Sequence, residues 1–190
     1  LLEQYGFSGV LCVRQKEGAL FDHETLFATS REQVLNAKGS RYSPTFLFAS
    51  VSKSMLREQN KIAVVGKPCD IQAINKYTDY LKIPRLFSIA LFCARTPAMS
   101  ATKTILVENN INLNDVASIQ YRGDGWPGYF KAKTSGGEEL LKMKYMDAWT
   151  KYLCRPEFNN KRCFLCHDCT GEFADISVGD AWIPGYANQS

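Results

Sequence analysis

Between residues 61 and 108, a short apolar strand followed by a helical stretch occurs twice in succession. Lys61–Val65 and Leu86–Phe92 are apolar runs of strand length. Asp70–Leu81 and Pro97–Glu108, which follow them, are predicted as helices from their apolar spacing and length. Two strands joined by a helix pair in parallel, with a right-handed crossover. The sequence therefore predicts an α/β fold built on a parallel-stranded core.

The segments before this unit are predicted to form one strand and two helices. Phe7–Val13 is predicted as the strand. A capping box at Ser30 begins a short helix, which Gly39 ends. A second helix is predicted over Thr45–Glu58, because Pro44 stands close to its start.

The rest of the chain is predicted to be less regular. Val116–Arg122 is predicted as a strand, and Tyr129–Lys133 with Glu139–Met143 as a small antiparallel hairpin. The last third is rich in glycine and cysteine, and we expect its backbone to wrap a ligand. We predict two domains, with residues 1–58 as the remainder of an N-terminal domain and residues 59–190 as a C-terminal domain.

The composition limits the classes of protein to which the chain can belong. With 190 residues, 45% of them hydrophobic and 12% aromatic, it predicts a globular protein. A net charge of +4 does not indicate a nucleic-acid partner. The longest apolar run, Leu86–Ala94, is shorter than the ~20 residues of a membrane span. Because Leu1 comes first and no methionine precedes Met55, we expect a fragment.

Seven cysteines are the unusual count in this composition. An odd number without a signal segment argues against a secreted disulfide scaffold and for reduced thiols in a cytoplasmic protein. Cys69 and Cys93 each follow one of the two predicted parallel strands. Neighbouring strands are about 4.8 Å apart, so we expect both thiols at one edge of the sheet. Open α/β sheets bind their ligands at this edge.

Cys163, Cys166 and Cys169 form a C-x-x-C-x-x-C run. Such spacing lets one loop offer two or three thiolates to one centre, as in iron–sulfur proteins. Together with the two edge cysteines, the run supplies the four ligands of a 4Fe–4S cluster, with Cys169 as a surplus candidate. A zinc site of four cysteines, or of three cysteines and His167, is the alternative.

The remaining cysteines, the histidines and one lysine carry weaker signals. Cys12 and Cys154 are predicted to be structural, because free cysteine often fills a core. The only histidines are His23 and His167, so we expect no histidine-dependent acid–base catalysis and assign no catalytic residue. Lys67 stands close to an edge cysteine, where it is either solvated or favours an anionic ring edge or cluster.

Three turns combine glycine with aromatic or charged residues. Arg122–Gly128 holds three glycines, a proline and Trp126, which permit close backbone approach and stacking on a ligand. Gly39–Tyr42 offers hydroxyl and cationic groups that suit a phosphate or a polar ring edge, although a capped turn is the simpler interpretation. Ala174–Trp182 is predicted as a strand that ends in a Gly/Asp/Trp turn.

Five stretches carry a family resemblance: GSRYSPT at 39–45, VGKPCDIQAI at 65–74, LFCARTP at 91–97, YRGDGWPG at 121–128 and RPEFNNKRCFLCHDCTGEFADISVGDAW at 155–182. In this order they resemble the beta subunits of the coenzyme F-420 hydrogenase/dehydrogenase family. The resemblance implies an iron–sulfur flavoprotein oxidoreductase that carries FAD and a 4Fe–4S cluster. It also implies a redox partner, either the deazaflavin coenzyme F-420 or ferredoxin, and a larger oxidoreductase complex.

The resemblance also assigns site residues. The cluster ligands fall on Cys69, Cys93, Cys163 and Cys166, and Cys169 is the weaker candidate. The glycine-rich N-terminal stretch that relatives use near the flavin phosphates is missing, so we expect a truncated flavin and iron–sulfur domain that binds FAD poorly or not at all. With Lys67 added from its position, the predicted cofactor contacts are Gly39, Ser40, Arg41, Tyr42, Lys67, Gly123, Asp124, Gly125, Trp126, Pro127, Gly128, Gly179, Asp180 and Trp182.

Two other functions remain open on the sequence. The chain could be an accessory electron-transfer or interaction subunit without its own substrate site, or a zinc-stabilised structural module. Iron with acid-labile sulfide would favour a redox protein, whereas stoichiometric zinc would favour the structural module.

Overall fold

The computed structural model describes residues 1–49, 51–58 and 61–183. In these ranges the strands are β1 (Gly9–Gln15), β2 (His23–Ala28), β3 (Ile62–Gly66), β4 (Phe87–Leu91), β5 (Ser118–Gln120), β6 (Tyr129–Lys133), β7 (Glu139–Lys144) and β8 (Ile176–Val178). The helices are α1 (Leu2–Tyr5), α2 (Arg31–Asn36), α3 (Lys53–Glu58), α4 (Pro68–Leu81), α5 (Met99–Glu108), α6 (Tyr145–Ala148) and α7 (Lys161–Phe164). A π-helical turn, Trp149–Leu153, continues α6.

The larger sheet has five strands in the order β2-β1-β3-β4-β8. β1 pairs with β3, β3 with β4 and β4 with β8 in parallel, which confirms the predicted parallel α/β core. β2 pairs antiparallel with β1 and was not predicted. Its sequence HETLFA gave no clear signal, because only Ala28 in it is buried. The sheet takes strands from both sides of residue 58, so the two predicted domains share it.

The helix after β3 begins earlier than the predicted Asp70. Pro68 occupies its first turn, where the missing amide costs nothing, and the Asp70 carboxylate accepts a hydrogen bond from the Lys67 amide at 3.1 Å. Ile71 and Ile74 on one face of α4 are buried against the sheet. Because the helix begins at Pro68, the next residue, a cysteine, lies in its first turn.

The helix predicted over Thr45–Glu58 is wrong for its first half, since only α3 is helical. Leu47 is buried in the core of the larger sheet. The Thr25 hydroxyl on β2 lies 3.1 Å from the carbonyl oxygen of Phe46 and 2.7 Å from that of Leu47. Because the Thr25 hydroxyl binds these carbonyl oxygens, the segment forms a turn and not the first half of a helix. Residue 50 and residues 59–60 lie outside the described residues.

The smaller sheet is antiparallel, in the order β5-β6-β7. The predicted hairpin is confirmed as β6 and β7, and the predicted strand Val116–Arg122 is shortened to β5. The strand predicted from Ala174 is likewise shortened to β8. No helix in the described part of the chain combines the length and the apolar character needed to cross a membrane.

Candidate cofactor site

The carboxyl edge of the larger sheet carries two of the cysteines. β3 and β4 are parallel neighbours in which Gly66 pairs with Ala90. Cys69 and Cys93 each lie three residues beyond this pair. Cys69 is exposed in the first turn of α4, and Cys93 is half-buried just after β4. The register of the two strands therefore brings both residues to one edge.

The C-x-x-C-x-x-C run folds against this edge. Cys163 lies in α7, and Cys166 follows that helix in an exposed loop. The Cys166 thiol donates to the carbonyl of Asp168 at 3.3 Å. The backbone amide of Cys93 donates to the carbonyl of Cys169 at 3.0 Å, which joins the run to the end of β4.

Burial is the main influence on the pKa values of the two edge cysteines. Burial raises the pKa of the Cys93 thiol to about 11, and the thiols of Cys69 and Cys163 are among the groups that raise it further. Burial also raises the pKa of Cys69, and the Cys166 thiol adds to this shift. The strand register and the backbone hydrogen bond between Cys93 and Cys169 bring the two edge cysteines and the C-x-x-C-x-x-C run to the same edge of the sheet.

The chemistry of the donor side chains indicates which groups this edge could hold. Among residues 1–49, 51–58 and 61–183, no three His, Cys, Asp or Glu side chains stand close enough together to hold one metal ion. A zinc ion binds cysteine sulfur at about 2.3 Å, and cysteine thiolates also bind the irons of a 4Fe–4S cluster. The donor set, with two cysteines at strand ends and a C-x-x-C-x-x-C run, is of the kind that holds an iron–sulfur cluster.

The other candidates near this edge have different surroundings. Cys169 and His167 are exposed. Cys12 is buried within β1, and the Cys154 thiol donates to the carbonyl of Thr150 at 3.6 Å. These two cysteines thus contact the protein interior and their own helix, respectively.

Lys67 is held between two parts of the chain. Its Nζ donates to the Thr45 hydroxyl at 2.7 Å and pairs with the Asp70 carboxylate at 2.7 Å. Its charge is among the groups that lower the pKa of Cys69 and Cys93, against the larger effect of burial. The ammonium group is therefore neither freely solvated nor unpaired, and it favours thiolates at the edge.

The Gly123–Gly128 segment forms a tight turn between β5 and β6. Gly128 has a φ of 84°, and a Cβ there would lie 2.4 Å from the carbonyl oxygen of Gly123, so only glycine fits. Asp124 pairs with the Lys131 ammonium on β6. This ion pair braces the turn that contains the predicted cofactor contact Asp124.

Arg122 joins this turn to the second predicted one, Gly179–Trp182. Its guanidinium group pairs with the Asp180 carboxylate. The same group lies 4.7 Å from the ring centre of Trp126 and 5.8 Å from that of Trp182. The two indole rings are themselves 4.9 Å apart. The structure therefore places two of the three predicted flavin-contacting turns side by side.

Tyr42, from the third predicted stretch, belongs to a neighbouring aromatic group. Its hydroxyl is 2.8 Å from that of Tyr145, and its ring centre is 5.6 Å from those of Tyr121 and Trp149. Burial raises the pKa of Tyr145 well above its usual value, and the Tyr42 hydroxyl raises it further. Both effects keep the Tyr145 phenol neutral. Arg122 lies 4.8 Å from the Tyr145 ring centre and connects this group to the two turns.

An open pocket of about 610 Å³ separates the aromatic group from the cysteine edge. Cys93 belongs to both, because it lines the pocket and also lies at the sheet edge, where its amide binds the Cys169 carbonyl. The other lining residues that matter here are Tyr42, Arg95, Tyr145, Trp149 and Trp182.

A smaller polar cavity of about 260 Å³ borders Tyr121 and Arg122. The Arg41 guanidinium at this cavity donates to the carbonyl of Ala37 at 2.9 Å and to that of Gly39 at 2.8 Å. Arg41 therefore caps the end of α2, in agreement with the interpretation of Gly39–Tyr42 as a capped turn. Other residues with polar side chains that line the cavity are Gln15, His23, Asn36, Lys38, Ser40 and Gln120.

Several residues of the site were not assigned from the sequence. Tyr145 and Trp149 are four residues apart. This spacing puts both side chains on one face of a helix, and it can be recognised in the sequence. Arg95 lies two residues beyond an edge cysteine but had no motif of its own. Arg122 meets its ionic partner Asp180 across 58 residues, and no local pattern indicates such a contact.

The fold and the site define an α/β protein in which a thiol-rich sheet edge adjoins an aromatic pocket. The chain belongs to the family of coenzyme F420 hydrogenase/dehydrogenase beta subunits. The sequence model for the C terminus of these subunits matches residues 59–190, and the model for their N-terminal part matches residues 1–53.

Several known proteins are similar in sequence. The coenzyme F420 hydrogenase subunit beta of Methanococcus voltae is 31% identical over 169 residues, which are 83% of this chain and 54% of that protein. The F420-dependent formate dehydrogenase subunit beta of Methanocaldococcus jannaschii is 25% identical, over 95% of this chain and 45% of that protein. The chain thus spans about half the length of these relatives.

One solved structure shares the fold. A chain of the F420-reducing [NiFe] hydrogenase complex from Methanosarcina barkeri superposes with a TM-score of 0.67 at 23% sequence identity. The match covers 95% of this chain and 60% of that chain. The arrangement of the two sheets is therefore that of a known protein.

Proposed function

We propose that the chain is the redox-cofactor part of a beta subunit in an F420-dependent oxidoreductase, with FAD in the aromatic pocket and a 4Fe–4S cluster at the cysteine edge. The observation that carries this proposal is the position of Cys93, which lines the pocket and lies at the same sheet edge as Cys69. One residue is thus shared by both sites, and two cofactors bound there would be close neighbours.

The thiols would hold the cluster from two directions. Cys69 and Cys93 project from the sheet edge, and Cys163 and Cys166 come from α7 and its following loop. The charge of Lys67 favours the thiolate forms that ligation requires. We infer a cluster rather than zinc from the C-x-x-C-x-x-C run and from the membership of the chain in the family of coenzyme F420 hydrogenase/dehydrogenase beta subunits.

The aromatic residues would bind and orient the flavin ring. Trp126 and Trp182 offer flat faces, and the Arg122 guanidinium between the turns provides positive charge beside them. The neutral Tyr145 phenol can donate a hydrogen bond without a change of charge. When bound, flavin accepts two electrons together as hydride and passes them singly to a cluster.

The electron partner is inferred from the relatives. The similar proteins of Methanococcus voltae and Methanocaldococcus jannaschii are both named for F420. We infer that this deazaflavin is the hydride carrier of the present protein, with ferredoxin as the other candidate. We also infer that the chain works within a larger complex in the cytoplasm.

The test is anaerobic purification of the full-length protein, followed by assays of iron, acid-labile sulfide, zinc and flavin. We expect about four irons and four sulfides per chain, together with FAD. Cys93→Ser should lose the iron and sulfide, whereas Cys154→Ser, also at a half-buried cysteine, should retain both.

Other outcomes would contradict parts of the proposal. Stoichiometric zinc without sulfide in the wild-type protein would show the structural module instead. Bound FAD that reduced F420 does not reduce under anaerobic conditions would contradict the hydride carrier. If reduced ferredoxin also failed, the result would favour an accessory subunit.

A further inference from the structure

A buried carboxylate lies within the cysteine run and belongs to neither pocket. Asp168 stands between Cys166 and Cys169 and is 2% exposed. An ionised side chain this deeply buried is stabilised only when its oxygens are hydrogen-bonded. Its partners therefore show what the residue does.

Both carboxylate oxygens of Asp168 are used. Oδ1 accepts hydrogen bonds from the backbone amides of Gly171 at 2.7 Å and Glu172 at 3.1 Å. Oδ2 accepts a hydrogen bond from the Gln72 side chain at 3.0 Å. Oδ1 therefore binds the backbone of its own loop, and Oδ2 joins that loop to α4.

The hydrogen bond from Gln72 joins the loop to the turn of α4 that carries Cys69, a predicted cluster ligand. Gln72 lies three residues after Cys69, so both side chains are on the same helical face. Asp168 lies two residues after Cys166, whose thiol donates to its carbonyl. The contact between Gln72 and Asp168 therefore joins the segment that bears Cys69 to the segment that bears Cys166.

Core packing does not hold these two cysteines, because both are exposed. The loop itself is packed more firmly, since a Cβ at Gly171 would lie 2.3 Å from the Cβ of Ala90 on β4. The turn that Asp168 closes is thus fitted against the sheet. Gln72 supplies the matching contact on the helix side.

We propose that Asp168 and Gln72 form a latch that fixes the separation of Cys69 and Cys166, as positioning residues for the cluster. The role of this latch rests on the proposed function, because it requires a cluster at the cysteine edge. The hydrogen bond between Gln72 and Asp168 does not depend on that proposal. Groups that orient metal ligands in this way often change metal affinity by about 10–100-fold when they are removed.

The test compares three forms of the full-length protein, purified anaerobically, with the wild type. Gln72→Leu removes the donor at similar size. Gln72→Glu combined with Asp168→Asn exchanges the donor and acceptor roles while keeping an oxygen at position 168 for the Gly171 and Glu172 amides. Gln33→Leu is the matched control, because its side chain bonds near the start of α2, away from the cysteines.

The readouts are the rate of iron release to a chelator and the electron paramagnetic resonance spectrum of the reduced protein. We expect Gln72→Leu to release iron about tenfold faster or more, with an altered spectrum. The exchanged pair should return both towards wild type, and Gln33→Leu should match wild type. A wild-type rate and spectrum in Gln72→Leu, or no recovery in the folded exchanged pair, would overturn the latch.

A third measurement separates this proposal from the proposed function. If the wild-type protein binds no iron and sulfide, the cluster proposal fails, and hydrogen exchange of the cluster-free protein then decides the latch. Faster exchange of the Gly171 and Glu172 amides in Gln72→Leu would support it. Unchanged exchange would overturn it.

Discussion

The two hydrophobic cores of the molecule differ in composition. The core of the larger sheet is aliphatic, and its fully buried members include Leu11, Val64, Ile71 and Ile74. The core under the smaller sheet and α5 contains buried aromatic residues: Tyr121, Phe130 and Tyr152. Partly buried rings, among them Tyr42 and Trp149, pack against this second core and extend it towards the pocket.

This difference in composition indicates that the two cores have different roles. Aliphatic side chains have no polar atoms to satisfy, so the first core closes completely and fixes the strand ends from which Cys69 and Cys93 project. Tyrosine and tryptophan combine a large apolar ring with a polar group. Their rings can line a pocket while their hydroxyls hydrogen-bond, as Tyr42 does with Tyr145. We therefore expect substitutions in the first core to affect stability most, and those in the aromatic group to affect cofactor binding.

The largest effect is expected for Ile71→Ala in the aliphatic core. Ile71 is fully buried, and removal of such a side chain lowers the free energy of unfolding by about 2–5 kcal/mol. Urea unfolding measures the change. Tyr80→Ala on the same helix is the control, because Tyr80 is 81% exposed, and we expect it to stay within about 0.5 kcal/mol of wild type. Equal losses in the two variants would contradict the assignment of Ile71 to a closed core.

An intermediate effect is expected for Trp182→Ala in the aromatic pocket. Trp182 is 56% exposed, so its loss should change stability little. If it stacks on the flavin, FAD affinity should fall about 5–10-fold, as measured by fluorescence titration of the flavin-free protein.

Phe173→Ala is the matched control for this change, since Phe173 is also 56% exposed but does not line the pocket. It should bind FAD as the wild type does. If both variants lost affinity equally, the aromatic pocket would not be the flavin site.

The same comparison explains what could be predicted from the sequence. The aliphatic core was predictable because its strands are short apolar runs such as Lys61–Val65, which can be recognised from neighbouring residues alone. The strand order then placed Cys69 and Cys93 at one edge. β2 escaped prediction because five of its six residues are only partly buried, so its pattern shows no clear apolar face.

The aromatic group was harder to predict, because long-range contacts build it. Arg122 meets Asp180 across 58 residues, and Tyr42 meets Tyr145 across 103. The turns themselves were visible from their glycines, but which side chains they bring together depends on how the smaller sheet packs. The Asp168 contacts are of the same kind, because Gln72 lies 96 residues away.

The smallest effect is expected for Tyr42→Phe, which removes one hydroxyl at the boundary of the aromatic core. The lost hydrogen bond to Tyr145 should lower the free energy of unfolding by about 0.5–1 kcal/mol, because Tyr42 is only half-buried and water can replace part of the contact. Urea unfolding measures it against Tyr80→Phe, whose hydroxyl is on an exposed side chain. A loss as large as that of Ile71→Ala would mean that this hydroxyl pair supports the fold itself, and the division of tasks between the two cores would then be wrong.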